Sequence, residues 1–108
     1  MKTLQTWAGG SVFDYDGSVK TGTTIYYGKN KSYKKVVPQN IYANLICHFS
    51  GKIRELATSR TDRGKDSVGE WLKVNFTKTA ITSYIGPILI NEGYAQRVAK
   101  SSSQIEIF

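Results

Sequence analysis

Lysines and tyrosines are interleaved in one stretch of the N-terminal third, and together these residue types could bind a nucleic acid. The lysines are Lys29, Lys31, Lys34 and Lys35. The tyrosines are Tyr26, Tyr27 and Tyr33. An ammonium group can contact a phosphate, while a tyrosine ring can stack on a base or a sugar. Because tyrosine is also an ordinary strand residue, a purely structural role is the open alternative.

Positive charge is concentrated in the first half of the chain, whose formal net charge is +7. Residues 17–54 contain no Asp or Glu, and their basic residues are Lys20, Lys29, Lys31, Lys34, Lys35, Lys52 and Arg54. After residue 54, seven basic residues accompany six acidic ones. This distribution would attract a polyanion such as a nucleic acid or an acidic protein surface. A solvated lysine-rich face is the structural alternative.

Patterns for catalysis or metal binding are weak. The single cysteine, Cys47, precedes the single histidine, His48, without a cluster at metal-ligand spacing, and we expect Cys47 to be a small buried apolar residue. No two carboxylates share a recognisable catalytic motif, and Gly9-Gly10 lacks the lysine and helix of a phosphate-binding loop. We therefore expect a non-enzymatic protein with no cofactor and no metal.

Length and composition bound the architecture. The 108 residues, 40% of them apolar, fit one domain with a modest core. No apolar run approaches the roughly 20 residues that span a bilayer, and the N-terminus has no signal-peptide pattern. We expect a soluble cytoplasmic protein with no membrane partner.

Residues 1–37 predict β-structure. Asp16-Gly17 lies between the strand-like stretches 11–15 and 18–20, which is typical of a hairpin turn. A second hairpin is predicted around the turn 28–32, which would place lysines at its tip.

Helical spacing begins at Pro38. An apolar stripe over residues 38–51 predicts a first helix that stops at Gly51, and residues 52–60 predict a short strand. The Ser67 and Glu70 pair has the spacing of a capping box, which predicts a second helix ending near Asn75.

The third predicted helix covers residues 77–94. Its apolar stripe consists of Ile81, Tyr84, Ile85, Ile88 and Leu89. Thr77 or Thr79 could cap its start, and Gly93 suits its end. The residues left facing outward are Lys78, Thr79, Thr82, Ser83 and Gly86. Pro87 lacks an N–H donor, so we expect a kink or two short helices at Gly86-Pro87.

Beyond Gly93 the period changes to that of strands, with a turn at 99–103, which predicts a C-terminal β-hairpin. The order helix, short strand, helix, helix, hairpin over residues 38–108 resembles the winged helix-turn-helix fold of DNA-binding domains. The most specific part of the resemblance is AITSYIGPILINEGYAQRV, residues 80–98. The expected fold is α+β, in one domain with a winged helix of three helices and a β-hairpin wing, preceded by a β-rich basic extension at 1–37.

The resemblance implies that the third helix enters the major groove of double-stranded DNA. Lys78, Thr79, Thr82 and Ser83 would then face the groove. Arg97 and Lys100 would be wing contacts to phosphates, and Lys73 could reach the backbone from the second helix. The first two turns of the third helix lack the Arg, Asn or Gln that reads purines, so we expect low sequence specificity.

Two functional classes remain open. One is a small DNA-binding protein, which could act as a regulator and could pair as a homodimer through its N-terminal strands. The other is a protein-interaction module, an adaptor or inhibitor of phage or mobile-element origin, that docks on an acidic partner. Fold alone does not separate the two.

Overall fold

The computed structural model describes residues 1–57 and 66–108, and these residues form an α+β fold with three helices and two antiparallel sheets. The first sheet contains β1 (Lys2–Gln5), β2 (Val12–Ser18), β3 (Gly22–Tyr27) and β4 (Tyr33–Val37). The helices are α1 (Gln39–Phe49), α2 (Val68–Asn75) and α3 (Thr82–Asn91). The second sheet contains β5 (Lys52–Glu55), β6 (Ala95–Arg97) and β7 (Gln104–Ile107).

The first sheet is a meander in the order β1-β2-β3-β4. The predicted hairpin over 28–32 is confirmed, because β3 and β4 pair on either side of it. The predicted turn at Asp16-Gly17 is wrong. Both residues belong to β2 and pair with β3, and the chain turns after Ser18. Gly17 has φ +87, and a Cβ there would lie 2.2 Å from the carbonyl oxygen of Gly22. Glycine is therefore required by the conformation and close packing of the strand and not by a turn.

The second sheet has the order β5-β7-β6. The helix α1 precedes β5, while α2 and α3 lie between β5 and β6. The short strand predicted over 52–60 is confirmed as β5, and residues 58–60 of that prediction lie outside the described part of the chain. The predicted cap of α2 is also confirmed, because the Ser67 hydroxyl accepts from the Glu70 N–H at 3.0 Å.

The third helix is shorter than predicted at its start. Its N-cap residue is Ile81, with no side-chain capping bond, so the predicted threonine caps are wrong. The Thr77 hydroxyl instead accepts from the Thr79 N–H within the turn before the helix. The predicted end is confirmed. Gly93 has φ +86, its N–H bonds to the carbonyl of Ile90, and the next residue bonds back to Leu89.

The helix α3 is continuous through Pro87, which excludes two short helices, and the alternative of a kink stays a prediction. A proline at this position leaves the carbonyl of Ser83 without its helical donor. The backbone N–H of Trp7, from the loop after β1, donates to that carbonyl at 2.9 Å. A Cβ on Gly86 would lie 2.9 Å from Cε3 of Trp7, so the glycine leaves room for the indole. Gly86-Pro87 is therefore the place where the N-terminal segment docks on α3.

Buried side chains of the N-terminal sheet, the helices and the second sheet form one apolar cluster. The Tyr15 hydroxyl donates to Glu92 Oε2 at 2.7 Å, and Glu92 Oε1 accepts from the Val19 N–H at 2.9 Å. Burial, and then the hydrogen bond to Glu92, raise the pKa of Tyr15 to about 12. The division into a 1–37 extension and a 38–108 core within one domain stays a prediction.

Candidate nucleic-acid interface

The β3–β4 hairpin presents its lysines on a turn and on an edge strand. Lys29 is exposed in the turn, and Lys34 is exposed on β4, the last strand of the sheet. Side chains alternate along a strand, so Lys34 and Lys35 point to opposite faces of the sheet. Lys35 pairs with the buried Ile25 and therefore faces the helices, where its Nζ lies 5.2 Å from the ring centre of Phe76.

These lysines differ in how much of their charge is compensated. Lys31 Nζ lies 2.9 Å from Asp14 Oδ1, and the Thr3 hydroxyl also donates to that carboxylate. The Thr3 hydrogen bond and then Lys31 hold the pKa of Asp14 below its ordinary value. Within the part of the chain that the structure describes, Lys29, Lys34 and Lys35 form no salt bridge. Three of the four hairpin lysines therefore keep an uncompensated charge.

The contact between Lys35 and Phe76 joins the hairpin to the end of α2. Phe76 is the C-cap residue that follows α2, three positions after Lys73 and two before Lys78. Lys73 is half-exposed, while Lys78 and Thr79 are exposed in the turn before α3. We use the name basic surface for the region around the edge strand β4, where Lys34 lies on one face and Tyr33 and Lys35 lie on the other, together with Lys29, Lys73 and Lys78.

The start of α3 does not present the expected face. Thr82 is 2% exposed, so the prediction that its side chain faces a DNA groove is wrong, because tertiary packing buries this side chain. Ser83 is half-buried with its carbonyl bound to Trp7, and Gly86 is buried. Tyr84 is covered by Phe13 at 5.1 Å between ring centres. The N-terminal segment therefore covers Ser83 and Gly86, two of the residues that a groove-binding helix would have to expose.

The C-terminal hairpin positions Arg97 and Lys100 differently. Arg97 lies with its guanidinium carbon 3.7 Å from the ring centre of Trp7, and its Nη2 donates to the Trp7 carbonyl at 2.6 Å. One N–H group of Arg97 is therefore engaged in an intramolecular hydrogen bond, although the residue stays exposed. Lys100 is exposed in the β6–β7 turn with φ +64.

Trp7 also links the N-terminal sheet to α3 and to the C-terminal hairpin. Strand register places the loop after β1 and the turn after β3 at the same end of the first sheet. From that loop, Trp7 Nε1 donates to the Ser102 carbonyl in the β6–β7 turn at 2.9 Å, and its backbone N–H reaches Ser83. The tip of the basic hairpin, the start of α3 and the C-terminal hairpin therefore share one end of the molecule. No motif in the sequence marked Trp7 for this role.

Other classes of site have less support. Cys47 is exposed, so the expectation of a buried thiol is wrong. Residues 1–57 and 66–108 contain no group of three or more His, Cys, Asp or Glu side chains placed to hold a metal ion. A cleft of about 470 Å³ lies between the loop after β1 and α3, lined in part by Trp7, Pro87 and Arg97.

No described helix is both long enough and apolar enough to cross a membrane. The cytoplasmic location stays a prediction.

Comparison with protein-family models, with curated proteins and with solved structures gives no match to this chain.

Proposed function

We propose that this chain is a small, non-enzymatic DNA-binding protein that holds DNA mainly by its phosphates, at the basic surface. The uncompensated charges of Lys29, Lys34 and Lys35 carry this proposal. They lie on one hairpin without a salt-bridge partner among the described residues, and Lys35 contacts Phe76, two positions before Lys78. Such charges release condensed counterions when they meet phosphates, which makes binding favourable at low salt.

We further propose that residues 38–108 form a winged helix-turn-helix unit. The order α1-β5-α2-α3-β6-β7 and the pairing of β5 with β7 support this. In this chain the third helix would act as a packing element beneath the N-terminal sheet and not as a reading helix. Low sequence specificity follows, because the residues left exposed near its start, Lys78 and Thr79, suit phosphates better than base edges.

The test is a fluorescence-anisotropy titration with a labelled random-sequence duplex over a series of salt concentrations. We expect affinity to fall steeply as salt rises, and the variant Lys29→Gln/Lys34→Gln to bind more weakly with a salt slope lower by about 2, roughly 0.9 for each phosphate contact. The matched control is Lys20→Gln/Lys52→Gln, which removes the same charge from exposed positions elsewhere. Its slope should stay close to that of the wild type.

Two outcomes would contradict the proposal. Binding that does not change between low and moderate salt would exclude phosphate contacts as its main source. Equal losses in both lysine variants would show that net charge matters and the hairpin does not.

The covered face of α3 also favours a second function, as a protein-interaction module that docks on an acidic partner. The edge strand β4 exposes Tyr33 and Val36 at 60% and 57%, beside Lys34, and its outer edge is unpaired among the described strands. An acidic extended segment could add to this edge. This function gains support if the duplex does not bind and a partner from a cell extract is retained by the wild type and lost in Lys29→Gln/Lys34→Gln.

Pairing of two chains through the N-terminal strands also stays a proposal, and sedimentation equilibrium with and without DNA would test it.

A further inference from the structure

Tyr33 stands at the exposed end of a row of aromatic rings that begins in the core. Phe13, at 0% exposure, lies 5.1 Å from Tyr84 between ring centres, and Tyr84 lies 5.0 Å from Tyr27. Tyr27 in turn stacks on Tyr33 at 5.7 Å with 25° between the ring planes. Tyr33 itself stays 60% exposed. Tyr27 thus supports one side of the Tyr33 ring and leaves much of the rest open to solvent.

The local backbone holds this ring in place. Tyr27 and Tyr33 are cross-strand partners, which fixes their side chains on the same face of the hairpin. Gly28, with φ +80, allows the chain to turn between them. A Cβ on Gly28 would lie 2.4 Å from Cδ2 of Tyr33, so the absence of a side chain there is what admits the ring.

Two lysines lie close to Tyr33 along the hairpin. Lys35 is two positions along the same strand and on the same face, which places its Cα about 7 Å from that of Tyr33 at the rise of a β-strand. Lys29 is exposed in the adjoining turn, and neither lysine has a salt-bridge partner in the part of the chain that the structure describes. An aromatic platform between such charges can stack a base while the charges meet the neighbouring phosphates.

The face of a base is available for stacking only when it is unpaired or at a strand end, because inside a duplex both faces are covered by adjacent pairs. We propose that Tyr33 is a stacking site for an unpaired base, flanked by Lys29 and Lys35, so that the DNA preferred by the basic surface is single-stranded. This rests on the proposed function, since the lysines supply the phosphate contacts.

The test compares two labelled single strands of equal length, about 15 nucleotides, which is within the range that one small domain covers. One is oligothymidine, and the other carries abasic sites throughout its centre, so that the phosphates remain while the bases are absent. We expect the wild type to bind oligothymidine roughly 5- to 150-fold more tightly than the abasic strand at the same salt, the range that stacking on one aromatic side chain supplies. It should also bind oligothymidine more tightly than a duplex of that length.

Three variants test whether the preference for oligothymidine comes from the Tyr33 ring. Tyr33→Ala should bring the affinities for oligothymidine and the abasic strand close together, while Tyr33→Phe keeps the ring and the preference. Tyr26→Ala removes the same atoms from the opposite face of the sheet and should keep the preference. Circular dichroism of each variant checks that the fold is retained.

The inference is overturned if the wild type binds both strands equally, or if Tyr33→Ala weakens both by the same factor. Loss of the preference in Tyr26→Ala but not in Tyr33→Ala would move the site to the other face and would also overturn it. In each of these outcomes the protein still binds DNA through its phosphates, so the proposed function stands. Failure of the proposed function is distinct, because it appears as absent or salt-insensitive binding to every strand, the abasic one included.

Discussion

Replacing Trp7 tests whether the N-terminal sheet and the helical part are one cooperative unit. Trp7 is 6% exposed, and its side chain fills the space beside Gly86, contacts Arg97 at 3.7 Å and donates to the Ser102 carbonyl. Truncation of a buried aromatic residue to alanine costs about 3–5 kcal/mol. Trp7→Ala also removes the cation–π contact with Arg97 and the indole hydrogen bond, each of which contributes about 1 kcal/mol. We therefore expect its loss of stability to lie toward the upper part of that range.

The assay is urea denaturation followed by far-UV circular dichroism and by fluorescence. Because the chain has two tryptophans, the remaining Trp71 reports on α2 in Trp7→Ala. We expect the free energy of unfolding to fall by about 4 kcal/mol, with both signals changing together in one transition. The matched variant Trp7→Phe keeps a ring beside Gly86 and loses the indole donor, so its loss should be about half as large.

A loss below about 1 kcal/mol in Trp7→Ala would refute the importance given to this side chain. Separate transitions in the two signals would show that the sheet unfolds independently of α2, which would contradict the single-domain prediction.

Two further changes follow from the contacts of α3 and β2. Gly86→Ala should destabilise the protein by roughly 1–3 kcal/mol although alanine favours helices, because the new methyl would lie 2.8 Å from Leu56 Cδ2 and 2.9 Å from Trp7 Cε3; unchanged or higher stability in urea would contradict this packing. Stability should fall as pH rises from about 10 toward 12, because the pKa of Tyr15 is raised to about 12 in the folded state. Tyr15→Phe, which has no hydroxyl to ionise, should lose less stability over that range, and an identical decline in both proteins would exclude Tyr15 as a source.

Much of the local structure could be predicted because its causes lie within a few residues. Ser67 caps α2 through the N–H of Glu70, three positions away, and Gly93 ends α3 with a positive φ. The basic hairpin over 28–32 could be predicted for the same reason. Its four lysines were identified from sequence, but the ion pair that compensates Lys31 needs Asp14 from another strand.

The failed predictions have causes elsewhere in the chain. Asp16-Gly17 has the composition of a turn, yet pairing with β3 keeps both residues in β2. Thr82 has a polar side chain and an outward position in the helical pattern, yet tertiary packing buries it. A pattern of apolar spacing identifies the face of a helix that packs on its own core. It carries no information about a second layer that covers the other face.

The sequence by itself determined the basic hairpin, the helical stripes of α1 and α3 and the low content of base-reading side chains, because these depend on residue type and short spacing. Only the tertiary structure decided that α3 runs unbroken through Pro87 and that its outer face is covered. Trp7 contributes to both, because it donates its N–H to the carbonyl that the proline leaves free and packs beside Gly86, and it also contacts Arg97, 90 positions away. Contacts at that separation form only when the whole chain closes around one core, and no local pattern encodes which donor will meet which orphaned acceptor.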